Sequence, residues 1–214
     1  MKIKAALLDF DGTLVTKDIL DVLTAKVGKE IESKQINEAL HRGELQGLTA
    51  LITRINFLKG MTEPEIFAAL QPESYLMPGA KALMDFFKRH QIVTILASGN
   101  ILPVLRYYQQ LLSIDYIIGA QPQMDGETIV GIDESAFSSS SFKLDGIKKI
   151  LNQLNISVAN VVALGDSPSD KGLFESSSYS IAVNPKGNIG TFAHVVIGAN
   201  LNEAVKLLES ISTE

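Results

Sequence analysis

Three short polar stretches in this sequence hold the residues that could do chemistry. Asp9-Phe10-Asp11-Gly12-Thr13-Leu14 lies near the N-terminus, Ser98-Gly99-Asn100 near the middle, and Gly165-Asp166-Ser167-Pro168-Ser169-Asp170 further on. Each follows a run of apolar residues, and each contains a glycine. Brought together, Asp9, Asp11, Asp166 and Asp170 would repel one another unless a cation lay among them. An all-oxygen donor set, with no cysteine in the chain and no histidine at ligand spacing, suits a hard ion such as Mg²⁺. A single Asp-Gly turn is ordinarily only a turn or a helix cap. Three such stretches, each closing an apolar strand, call for a shared purpose.

The elements that must position these residues follow from hydrophobic pattern. Short apolar, β-branched runs occur at 3–8, 92–97, 115–118, 161–164 and 179–183, with 195–197 as an edge candidate. Several are apolar throughout, as in strands covered on both faces. Amphipathic segments separate them. Asn100 is expected to cap a helix through Leu112, with Pro103 in its first turn. A second helix is expected over 142–154, and Asn200 with Glu203 reads as a capping box opening a last one over 201–211. Alternation of strand and helix predicts an α/β fold with a doubly wound, parallel, Rossmann-like sheet. In such a sheet ligands collect beyond the carboxyl ends of the strands, where all three polar stretches fall.

Residues 16–76 break the alternation. No strand is evident there, and helices are expected over 18–27, 30–41, 48–58 and 64–70, the last opened by a Thr62/Glu65 capping box with Pro64 in its first turn. This is the pattern of a small all-helical cap inserted after the first strand, dividing the chain into a core of 1–15 and 77–214 and a cap of 16–76. Asp125-Gly126 marks a hairpin turn, and Ser138–Ser141 a serine loop.

Composition limits the alternatives. The 214 residues are 46% hydrophobic and 20% charged, which suits a globular chain with a sizeable core. A formal charge of −5 with no basic run argues against nucleic acid as partner. No apolar stretch approaches the roughly 20 residues of a membrane span, and the N-terminal apolar run is too short for a signal peptide, so the expected address is cytoplasmic. The absence of cysteine excludes disulfides, thiolate metal sites and a cysteine nucleophile. Oligomeric state is not legible.

The constellation resembles the haloacid dehalogenase superfamily. The likeness rests on DFDGTL at 9–14, ASGN at 97–100, Lys143, and GDSPSD at 165–170, in that order. It implies an aspartyl-phosphate chemistry in which Asp9 is the nucleophile and Asp11 the general acid, then base. It implies Mg²⁺ held by the Asp9 and Asp166 carboxylates and the Asp11 carbonyl, with Asp170 as a direct or outer ligand. Ser98, the Gly99 amide and neighbouring Asn100 would meet the phosphoryl oxygens, and Lys143 would balance charge. The second aspartate, Asp11, points to phosphatases and to mutase-like relatives, away from dehalogenases and ion pumps.

Within the superfamily the cap looks most like that of the phosphoserine phosphatases. Arg54, in the stretch LQGLTALITRINFLK, falls where they carry a substrate-carboxylate arginine, and Asp18 where they place a glutamate for the substrate amine. The bland alternatives are a solvated helix arginine and a first-turn carboxylate favoured by the helix dipole. The chain departs from that subgroup with Gly12 for serine, Asp18 for glutamate, Asn100 for glycine and Ser169 for asparagine. The expected activity is Mg²⁺-dependent hydrolysis of a small phosphorylated metabolite, phosphoserine-like substrates included. A phosphotransferase or mutase with the same site, or a non-catalytic phosphate-binding relative, are the alternatives.

Overall fold

The computed structural model describes residues 2–71, 74–132 and 142–212; the serine run at 138–141 lies outside them. A six-stranded, all-parallel sheet forms the centre, in the order β3-β2-β1-β6-β7-β8. The strands are β1 (Ala5–Leu8), β2 (Val93–Ile101), β3 (Tyr116–Ala120), β6 (Val161–Gly165), β7 (Tyr179–Val183) and β8 (Val195–Ile197). β1 and β6 are buried along their whole length, which is why they carry no polar alternation.

Successive β1 residues feed two different cores. Ala6 and Leu8 pack on one face with Leu96 and Leu164, under α5 (Ala80–Arg89), α6 (Leu102–Leu112) and α9 (Leu201–Ser212). Ala5 and Leu7 pack on the other with Ile95 and Ala163, under α7 (Phe142–Gln153) and α8 (Lys171–Glu175). Helices on both faces of a parallel sheet are the expected doubly wound arrangement. Register decides the site: Leu8 pairs with Leu96 and with Leu164, so the residues that follow them, Asp9, Ala97 and Gly165, lie at one level.

Among the described residues, four helices lie between β1 and α5: α1 (Ile19–Lys26), α2 (Glu30–His41), α3 (Gly47–Asn56) and α4 (Glu63–Leu70). Thr62 and Glu65 make the expected capping box at α4, with Pro64 in its first turn. The two passages between these helices and the sheet run side by side: the Thr16 amide donates to the Tyr75 carbonyl, and the Met77 amide to the Leu14 carbonyl, both at 2.8 Å. The expected hairpin is present, formed by β4 (Pro122–Asp125) and β5 (Thr128–Ile132), with its turn at Gly126-Glu127, one residue beyond Asp125-Gly126. It grips the α3–α4 connection through Gly60 N–H to Ile129 O, Ile129 N–H to Met61 O and Glu63 N–H to Glu127 O.

Some details differ from the expectation. β2 runs on to Ile101, so Ile101 and not Asn100 precedes α6, and the Asn100 side chain is free for other work. The Asn200 side chain accepts from the Asn202 amide at 3.0 Å instead of forming a box with Glu203. α5 was not among the expected helices, although Leu83, Phe86 and Phe87 share its buried face.

Gly79 opens α5 at φ +84°, the left-handed region. A Cβ there would collide with the Asn202 main chain at the start of α9. Gly79→Ala is therefore expected to lower stability by more than about 1 kcal/mol in urea unfolding, through backbone strain and lost α5–α9 packing.

Candidate active site

The three polar stretches meet at the carboxyl end of β1, between β2 and β6, where strand order reverses. Asp9 leaves β1 with its amide donating to the Leu164 carbonyl at 3.0 Å, which fixes it against β6. Oxygens of Asp9, Asp166 and Asp170 lie within 4.8 Å of one another, and all three residues are buried. Asp170 sits behind the others and is fully buried. One of its oxygens accepts from the Asp166 and Ser167 amides at 3.0 Å each. Its other oxygen, Asp166 Oδ2 and Thr13 Oγ1 make no hydrogen bond among the described residues. An orphaned Asp170 oxygen beside the Asp9 and Asp166 carboxylates in one buried cluster fits a hard divalent cation.

Lys143, from α7, brings its ammonium to 3.4 Å from Asp9 Oδ1. Burial would lower the lysine's pKa, but Asp9 and Asp170 outweigh it and hold the ammonium above its usual value. Burial pushes the Asp9 carboxyl well up, Asp170 adds to this, and Lys143 opposes it. Asp11 is not part of the acidic cluster. Its carboxyl accepts from the Ile19 amide at 2.8 Å and from Asn100 Nδ2 at 3.1 Å. Burial and the neighbouring Asp18 raise its pKa to about 7, against those two donors and Arg54. Asn100 is oriented by accepting the Ile101 amide at 2.9 Å, so it holds Asp11 from the core side. Ser98 Oγ accepts the Asn100 amide at 3.0 Å, which leaves its hydroxyl hydrogen free to donate.

These residues line one cavity of about 470 Å³, with Asp9, Asp11, Ser98 and Lys143 on the floor and Leu51 and Arg54 of α3 on the roof. Asp18, Gly99, Asn100 and Asp166 also border it. Arg54 is not a solvated arginine. It is buried, with Nη2 at 2.6 Å from Asp18 Oδ1 and 3.0 Å from Asp21 Oδ1, and Nε donating to Ser33 Oγ at 2.9 Å. Asp18 is the N-cap of α1, accepting the Asp21 amide at 3.1 Å, and also takes a bond from Asn37.

The sequence reading did not single out Lys186, Asp21 or Ser33. Lys186 stands 2.7 Å from Asp166 Oδ2 on the loop after β7. The rule that ligands gather beyond strand ends would have found it, because Lys186 lies three residues past β7. Asp21 and Ser33 could not be found that way, since only the folding of α1, α2 and α3 together brings them to Arg54.

Fold and site together define an α/β protein with an acidic cluster at the switch point of a doubly wound parallel sheet, beneath a helical roof. The chain belongs to the haloacid dehalogenase-like hydrolases, whose family profile matches residues 6–175. It is similar to a phosphoserine phosphatase of Archaeoglobus fulgidus, 29% identical over 83% of this chain and 52% of that one. The chain thus spans about half the length of that relative. Another, from Campylobacter jejuni subsp. doylei, is 26% identical over 96% of this chain and 100% of its own length. A solved phospho-aspartyl intermediate analogue of a phosphoserine phosphatase superposes with a TM-score of 0.85 at 24% identity, covering 97% of this chain and 99% of that one. A substrate-bound complex of a phosphoserine phosphatase gives 0.86, at the same identity and coverage. These likenesses are to the fold.

Removing the Arg54 guanidinium would strand two poorly solvated carboxylates. Arg54→Met is expected to cost about 2–4 kcal/mol in denaturant unfolding, somewhat below a fully buried pair because Asp18 and Asp21 keep some contact with water. A loss under about 0.5 kcal/mol would mean that the cluster is only surface decoration.

Proposed function

We propose that this chain is a Mg²⁺-dependent phosphomonoesterase that works through an aspartyl-phosphate on a small, phosphoserine-like metabolite. The observation that carries the reading is the buried Asp9–Lys143 pair set beside two further carboxylates, at the floor of the cavity beneath α3. Binding phosphate alone needs no nucleophile beside it; a covalent route to hydrolysis does, and Asp9 is placed to be one.

Asp9, Asp166 and the Asp11 carbonyl would hold Mg²⁺, with Asp170 supporting Asp166 from behind. The ion supplies positive charge that offsets the like-charge repulsion between a carboxylate and a phosphate dianion. The chain's own groups do the rest. Ser98 Oγ–H and the Gly99 amide bind phosphoryl oxygens, and the Lys143 ammonium faces the phosphoryl group from the Asp9 side. In the first step an Asp9 oxygen bonds to phosphorus as the ester P–O bond breaks, and Asp11 gives its proton to the departing alkoxide. In the second, water bonds to phosphorus as the Asp9 O–P bond breaks, and Asp11 takes the proton back. A carboxyl with a pKa of about 7 can do both near neutrality.

The helices of residues 16–76 act in this reading as the cap, closing over the floor to exclude bulk water. Asp18 would meet a substrate amine and Arg54 a carboxylate, with Asp21 and Ser33 keeping the guanidinium in place. The relatives named as phosphoserine phosphatases support that choice of substrate class.

Phosphate release from a panel of phosphorylated metabolites tests the reading. Asp9→Asn is expected to lose essentially all turnover while melting as a folded protein, and Asp11→Asn to lose on the order of 10²–10⁴-fold. Full activity in Asp9→Asn on an aryl phosphate would reject the nucleophile. EDTA should remove activity and added Mg²⁺ restore it; turnover indifferent to chelation would reject the metal.

A further inference from the structure

The loop after β7 is built to deliver one lysine. Asn184 takes φ +41°, Pro185 follows, and Gly187 takes φ +57°. Lys186, between them, engages a single residue at both ends. Its amide donates to the Asp166 carbonyl at 2.7 Å, and its ammonium reaches Asp166 Oδ2 at 2.7 Å, a close ion pair without hydrogen-bond alignment. The partners differ in hydration: the Asp166 side chain is 2% exposed and that of Lys186 54%. Gly12 makes the room. A Cβ at that position would collide with the Asp166 carboxylate and stand 3.0 Å from Lys186 Nζ. The glycine of DFDGTL therefore has a local purpose in this chain beyond its φ of +90°.

We propose that Lys186 is the resident counter-cation of the acidic cluster: a positioning residue that steadies Asp166 in the metal-free protein and competes with a divalent ion for it. The inference rests on the metal reading of that cluster given above. An ammonium at a ligand oxygen partly neutralises the charge that a divalent cation would use, and repels the ion itself. Lys143 cannot serve in its place, being buried against Asp9. Lys186 can withdraw, because its long stem is half in solvent. The chain thereby keeps its cluster compensated without metal, at the expense of metal affinity.

Thermal melting across a Mg²⁺ titration, without substrate, tests this on the full chain as wild type, Lys186→Met and Lys186→Arg. In EDTA, Lys186→Met is expected to melt about 2–4 °C below wild type. Its Mg²⁺ affinity should be on the order of tenfold tighter, so that saturating Mg²⁺ raises its melting temperature by more than that of wild type. Lys186→Arg, which keeps the charge, should track wild type. Equal or weaker Mg²⁺ affinity in Lys186→Met overturns the competition, and an unchanged melting temperature in EDTA overturns the counter-cation role. If Lys186→Met does not fold, Lys186→Gln is titrated in its place against the same criteria. A wild type that takes up no Mg²⁺ overturns the metal reading itself, and this inference with it; normal uptake with an indifferent Lys186 variant overturns only the inference.

Discussion

Negative charge packed where water cannot reach it is the constraint on which this molecule is arranged. Asp9, Asp166 and Asp170 approach within 4.8 Å at the end of a fully buried strand pair. Carboxylates so placed are costly unless opposed. The fold opposes them from two sides, with Lys143 from α7 and Lys186 from the loop after β7. Main-chain amides of the 166–170 turn take up one Asp170 oxygen. One Asp170 oxygen is left unpaired and Asp166 Oδ2 is held by the Lys186 ammonium alone, and these are the oxygens a hard cation would use.

The same problem recurs on a smaller scale in the roof. Arg54 enters the helical layer as a buried cation and is met by Asp18 and Asp21 at Nη2, with Ser33 accepting from Nε. A buried ion pair is weak evidence for stability, since desolvation offsets much of its attraction. Its value here is placement: α1, α2 and α3 are pinned to one another with a charged group at the cavity wall. Asp11 links roof and floor, accepting from Ile19 at the start of α1 and from Asn100 at the end of β2. Any movement of the helical layer is thereby felt at Asp11. The β4–β5 hairpin, bonded to the α3–α4 connection, limits how far that layer can travel.

Much of this was legible in one dimension. Apolar runs marked the strands of the sheet, β1 and β6 most plainly, because a strand buried on both faces has no polar positions to confuse the pattern. The helices between β1 and α5 were recognisable from caps and spacing, Thr62–Glu65 above all. The departures have physical causes. Asn100 resembles a helix cap by residue type, but β2 holds it in extended backbone and Asp11 claims its amide. α5 was overlooked although its apolar residues are well spaced; Gly79, a positive-φ glycine, marks its start where a polar cap would have been noticed.

What the sequence by itself determined is the set of groups and the order of the elements that carry them. Alternation of apolar strands with helices dictates a parallel sheet, and aspartates placed after those strands an acidic rim, because both patterns are properties of neighbours along the chain. Tertiary structure alone decided the pairings: Lys143 on Asp9, Lys186 on Asp166, Asn100 on Asp11, and Arg54 between Asp18 and Asp21. These join residues as many as 134 positions apart. Such contacts depend on register and on which helix face turns inward, and both are settled only when the whole core closes.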